Sequence, residues 1–125
     1  LYRRFLESYV EVCNNIVTEA ANTVLMFEAG EQAALSIRTL KIEDINSEFE
    51  KDGITTSIEI SERKIIFHVK GLPLSGKKCG YCDILRGFFG GLSRKHFDPR
   101  FYCKKSGECI LEGANECIFI AELVE

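Results

Sequence analysis

Cysteine is the residue type in this chain with the most chemistry to offer. Five of the six cysteines, Cys79, Cys82, Cys103, Cys109 and Cys117, fall within 39 residues. No charged-then-apolar leader pattern opens the sequence, so the thiols are expected to be reduced, and reduced thiols in a cluster serve as metal ligands or in redox chemistry. Zinc held tetrahedrally by four thiolates is the commonest use of such a set. Cys109 and Cys117 bracket the turn-forming run Glu112-Gly113-Ala114-Asn115, which lets their sulfurs converge. Cys82 and Cys103 are candidates for two further ligands. The spacing is not that of a zinc ribbon, because only Cys79 and Cys82 form a CxxC pair. Spacing alone leaves both a metal site and a set of buried or redox-active thiols open. Cys13 stands apart in a helical pattern and reads as a small core hydrophobe.

The elements that must position these thiols follow from hydrophobic period. Residues 1 to about 27 carry Phe5, Leu6, Tyr9, Val12, Ile16, Val17, Ala20, Val24 and Phe27 at threes and fours, which predicts an amphipathic helix with Gly30 as its stop. A second helix is expected from Gln32 to about Leu40, and a short helix or structured connection over Lys41 to Asp52. From Ile54 the period changes to two, which predicts strands around Glu62-Arg63-Lys64. Gly71 to Gly76 reads as a loop. A helix over Cys82 to about Lys95 carries Gly87, Gly90 and Gly91, and glycine costs a helix about 1 kcal/mol relative to alanine, so these mark close approach to a neighbour or ligand. Cys109-Ile110-Leu111 and Cys117 to Ala121 read as two strands about a turn. The sum is one α+β domain over residues 1–125, an antiparallel sheet built from hairpins near 54–70 and 101–124 with helices against it.

Composition narrows the function. With 125 residues and 46% hydrophobic content the chain can bury a core without staples. A net charge of -3 leaves no broad basic surface for phosphates, so direct nucleic-acid contact is not expected. No apolar run approaches the roughly 18 residues of a membrane span. A cytoplasmic domain cut from a longer chain is the expectation. No pairing of nucleophile and base, nucleotide loop or carboxylate pair is recognisable, so catalysis is not expected. His96 reads as a helix-end residue, His68 as a solvated or hydrogen-bonded strand residue, and the Arg94-Lys95 and Lys104-Lys105 pairs as solvated surface.

The run from Cys82 to Gly91, followed by Glu108-Cys109-Ile110-Leu111-Glu112-Gly113-Ala114-Asn115-Glu116-Cys117-Ile118-Phe119, resembles the 4-vinyl reductase domain family, the sensor domain of bacterial regulators that respond to phenols and other aromatics. Cys82, Gly87, Cys109, Gly113 and Cys117 match the family's cysteine and glycine positions. The resemblance implies an α+β fold shared with small subunits of Golgi transport complexes. It also implies a zinc held by Cys82, Cys109 and Cys117, and a ligand pocket beneath the glycine-containing helix, with Phe88, Phe89 and Leu92 as its lining. Where family members usually carry a glutamate ligand this chain has Ser106, so the fourth zinc bond must come from elsewhere. Cys103 is the first choice, Cys79 the second and Glu108 the third. The implied function is a non-enzymatic sensor domain for a small apolar molecule, acting as a regulatory module and assembling as a homodimer. A cysteine-based redox sensor is the alternative, since five clustered cysteines exceed the four that one zinc needs. The chain has no tryptophan, which some relatives use to hold an aromatic ligand.

Overall fold

The computed structural model describes residues 2–37, 41–71, 81–107 and 116–123. In chain order these form α1 (Tyr2–Ile16), α2 (Glu19–Ser36), a 3-10 turn (Ile42–Asp44), α3 (Ile45–Glu50), β1 (Thr55–Ile60), β2 (Lys64–Lys70), α4 (Tyr81–His96), β3 (Phe101–Ser106) and β4 (Cys117–Leu123). The strands make one antiparallel sheet in the order β1-β2-β4-β3. The α+β architecture expected from the sequence is therefore present.

Alternation sets the sheet's two faces. Ile65, Phe67 and Val69 of β2 and Cys117, Phe119 and Ala121 of β4 are buried on one side, while Ile66, His68, Ile118 and Ile120 lie on the other. Helix α4 covers the buried side. Phe89 stacks on Phe67 with centroids 4.2 Å apart and lies 5.4 Å from Phe119, so a single helical side chain seals the middle of the sheet. Full burial of a side chain of that size contributes about 2–3 kcal/mol.

Helix α2 packs on the far side of α4, and small residues set how closely. A Cβ added to Gly30 would run into the backbone of Ile84, and one added to Gly87 into the carbonyl of Phe27. At Gly91 an added Cβ would come within 2.8 Å of the Ala34 methyl. Gly30 and Ala34 on α2 thus face Gly87 and Gly91 on α4, each pair one turn apart, and the two backbones nearly touch. This corrects the reading of Gly30 as a helix stop. The helix runs through it, because tertiary contact repays the local cost of glycine.

The true interruption comes earlier. Instead of one helix over residues 1–27, α1 ends at Ile16 and α2 starts at Glu19, with the Thr18 hydroxyl accepting a hydrogen bond from the Ala21 N–H at 3.4 Å. The second half also differs in detail. Besides β2, β4 pairs with Phe101–Ser106, and the expected strand at 109–111 lies outside the described residues.

Candidate functional site

Cys82 opens α4 and Cys117 opens β4, on the side of the sheet that α4 covers. Both are buried, and their sulfurs stand 3.9 Å apart as thiols, not as a disulfide. Two sulfurs held about 2.3 Å from one tetrahedral zinc lie ~3.8 Å apart. The pair therefore has the separation and the chemistry that two of four zinc ligands need. Cys109, Cys79 and Glu108 lie outside the described residues. Among the described residues no group of three or more His, Cys, Asp or Glu side chains is placed to hold a metal.

Cys103 is not brought to this pair. The sheet register pairs it with Ala121, four positions along β4 from Cys117. That is about 13 Å of strand, further than two cysteine arms can span to a common ion. Its thiol instead packs against α4, where an added Cβ on Gly90 would sit 3.1 Å from the Cys103 Cβ. Burial pushes the Cys103 thiol up to about 12, while Arg86 and Arg94 pull it down. A ligand thiol must lose its proton, so position and environment both disfavour Cys103 as the fourth ligand. Ser106 pairs with Ile118 on the other face of the sheet, away from Cys117.

Of the three residues proposed to line a pocket, Phe89 and Leu92 are fully enclosed in the core. Phe88, the third, lines a cleft of about 510 Å³ between α3, the end of α2 and α4. Its apolar lining is Ile37, Ile45, Phe49 and Phe88, with Asp44, Ser47, Glu48 and Asp52 completing it. Phe49 meets Phe88 edge to face at 5.9 Å and Phe89 at 6.0 Å, so the cleft floor is continuous with the core. Ile45 and Phe49 occur at helical spacing in the sequence, but nothing there indicates that they would face α4.

Helix α4 is fixed at its far end by Arg94, which donates to the Phe101 carbonyl at 3.3 Å and to Glu31 at 2.6 Å. Lys95 donates to the Ile37 carbonyl at 2.7 Å. Arg94 is thus a half-buried connector among α2, α4 and β3, whereas Lys95 is exposed, as expected of solvated surface. His96 is exposed in the last turn of α4. His68 is hydrogen-bonded, Nδ1 to Glu116 at 2.9 Å and Nε2 to Glu59 at 2.6 Å, and these bonds raise it above the ordinary histidine value. The two carboxylates tie β1 to the start of β4 across β2. Only Glu59, nine residues away on the partner strand of the hairpin, was within reach of a sequence reading.

The fold has counterparts among solved structures. The fold is similar to a vinyl-4-reductase family protein from Methanocaldococcus jannaschii, with a TM-score of 0.67 and 16% identity over 99% of this chain and 80% of that one. It is also similar to trafficking protein particle complex subunit 3 from Naegleria fowleri, a structure covalently bound to palmitic acid, with a TM-score of 0.61 and 15% identity over 99% and 96% of the two chains. No protein-family model and no curated protein matches the sequence. No helix among the described residues is long and apolar enough to cross a membrane.

Proposed function

We propose that this chain is a non-enzymatic binding domain for a small apolar molecule, with a structural zinc at the Cys82 end of α4, serving as the sensory module of a cytoplasmic regulator. The observation that carries the reading is the cleft over Phe49 and Phe88, which opens an aromatic floor to the outside in a fold like that of a vinyl-4-reductase family protein. Its size falls within the range usual for small-molecule sites, roughly 300–1,000 Å³.

Zinc would be held by Cys82 and Cys117, with Cys109 and with Cys79 as the fourth thiolate in place of Cys103. A bound ion would cross-link the start of α4 to the start of β4. Cys82 and Cys117 then orient the helix whose Phe88 faces the ligand. Apolar side chains Phe5, Tyr9, Val12 and Ile16 form an exposed stripe at spacings of four, three and four along α1, which suits pairing with a second copy of the chain.

Elemental analysis with thiol counting tests the metal. About one zinc per chain in protein prepared under reducing conditions is the expected result. Protein without metal whose Cys82 and Cys117 oxidise reversibly would favour the redox reading, which the 3.9 Å sulfur separation also accommodates. Hydrogen exchange with a panel of small aromatic compounds tests the cleft, and protection should appear over α3 and around Phe88. Sedimentation at micromolar concentrations tests the pairing through α1.

A further inference from the structure

The sheet face turned away from α4 carries a pattern of charge that matches itself. Helix α4 covers the opposite face, where α3 also meets β1 through the bond from the Thr56 hydroxyl to Asn46. On the outward face the register sets side chains in rows across β1, β2, β4 and β3. One row reads Glu59, Ile66, Ile120, Lys104, and its neighbour Ser57, His68, Ile118, Ser106. Beyond the first lie Lys64, Glu122 and Tyr102. Beyond the second lie Lys70 and Glu116, next to the paired Val69 and Cys117. Ile66, Ile118 and Ile120 thus form a half-buried apolar centre inside a frame of alternating carboxylates and lysines. Within the chain, Glu59 and Glu116 hold His68, and Lys64 pairs with Glu122 at 3.7 Å. Lys70 and Lys104 are exposed and have no ion-pair partner among the described residues.

We propose that this face binds the same face of a second copy of the chain, about a two-fold axis parallel to the strands and between β2 and β4. That axis lays β1 over the partner's β3 and β2 over the partner's β4, with the rows in place. Glu59 then meets the partner's Lys104, Lys70 the partner's Glu116, and Lys64 the partner's Glu122, each contact occurring twice. At the centre Ile66 meets the partner's Ile120. An axis lying across the strands would instead set Lys70 against the partner's Lys64 and Glu116 against the partner's Glu122. The charges therefore select one arrangement and oppose the other. Stacked sheets cross at about 30°, which displaces the outer rows by roughly 4–5 Å, a distance that a lysine side chain can follow. Usual strand and residue spacings give a face of about 20 by 20 Å, or roughly 800 Å² for both copies, so the dimer is weak and reversible. It is separate from the pairing through the α1 stripe.

The test follows the methyl resonances of Ile66, Ile118 and Ile120 in the full chain at low ionic strength, from ~20 µM to ~1 mM, a range suited to weak association. They should shift with concentration and give a Kd of about 100 µM, whereas pairing through α1 would move Val12 and Ile16 instead. Glu59→Lys and Lys104→Glu, both on exposed side chains, should each weaken self-association about tenfold, because each sets like charges together twice. An equimolar mixture of the two variants should recover the unaltered affinity to within about twofold, because every charged contact between unlike copies is again an opposite pair. A loss due only to misfolding, or to the missing bond between Glu59 and His68, would not recover on mixing. Methyl shifts independent of concentration up to ~1 mM would overturn the second copy as occupant and leave the face to another domain. Concentration-dependent shifts without recovery in the mixture would overturn the two-fold arrangement.

Discussion

Two buried cysteine environments lie under the same helix and have opposite character. At the start of α4, Cys82 and Cys117 turn their sulfurs toward one another at 3.9 Å. Near its far end, Cys103 lies in the core against Gly90 of the helix, within electrostatic reach of Arg86 and Arg94. A sulfur facing a second sulfur at ligand spacing can share an ion. A lone thiol in an apolar contact keeps its proton and acts as filler, much as a small aliphatic side chain does. Position relative to the sheet register, not residue type or burial, separates the two roles.

Replacing either member of the pair should give the largest effect. On the proposed zinc reading, Cys117→Ser should leave the chain without zinc and cost more than about 4 kcal/mol, in the class of changes that remove a structural metal. Zinc content and thermal unfolding measured together check it, and a variant that keeps one zinc per chain would dissolve the contrast with Cys103. Phe89→Ala, in the core between the two environments, should cost about 3–5 kcal/mol, because Phe67 and Phe119 lose their stacking partner and cannot follow the missing ring. Denaturant unfolding measures this, and the zinc should stay bound in the folded fraction.

Cys103→Ala should be much milder, on the order of 1 kcal/mol, with metal content unchanged. The thiol, pushed up to about 12, should also resist alkylation at neutral pH until the protein unfolds. Fast modification in the native state would show that Cys103 is not the sealed residue described above. The smallest effect is expected outside this comparison, at His68. Its folded value is raised, first by the hydrogen bond to Glu59 and then by that to Glu116, so its contribution is complete below the unfolded value of about 6.5 and is lost as pH rises through the folded value. Thiolate ligation runs the other way and weakens as pH falls. Melting curves across pH for His68→Gln and the unaltered chain should therefore differ on the acid side of neutrality and converge on the alkaline side.

Much of the architecture was legible because it depends on local period. The change from threes and fours to alternation at Ile54 located β1 and β2, and the apolar spacing of residues 82–95 located α4 to within a residue at each end. The helical first third was legible as helix but not in its division. Thr18 caps a helix start that the apolar pattern runs straight across. The cleft was less accessible still. Phe88 was singled out together with Phe89 and Leu92, yet adjacent positions on a helix point in different directions, and only the packing of α4 between the sheet and α2 fixes which of them meets the outside.

The sequence by itself determined that strands would alternate, that a glycine-bearing helix would precede the last two strands, and that thiols would cluster around that helix. These are short-range facts, set by side-chain period and by the conformational cost of glycine. Tertiary structure decided which thiols meet. The pairing of Cys103 with Ala121 places it four residues of strand away from Cys117, and the α4 crossover brings Cys82 across 35 residues of chain to the sulfur it faces. It also turned Gly30 from a stop into a contact point, because a backbone that must touch another helix requires glycine just as a helix end does. Register and close approach depend on partners distant in the chain, so local pattern alone does not encode them.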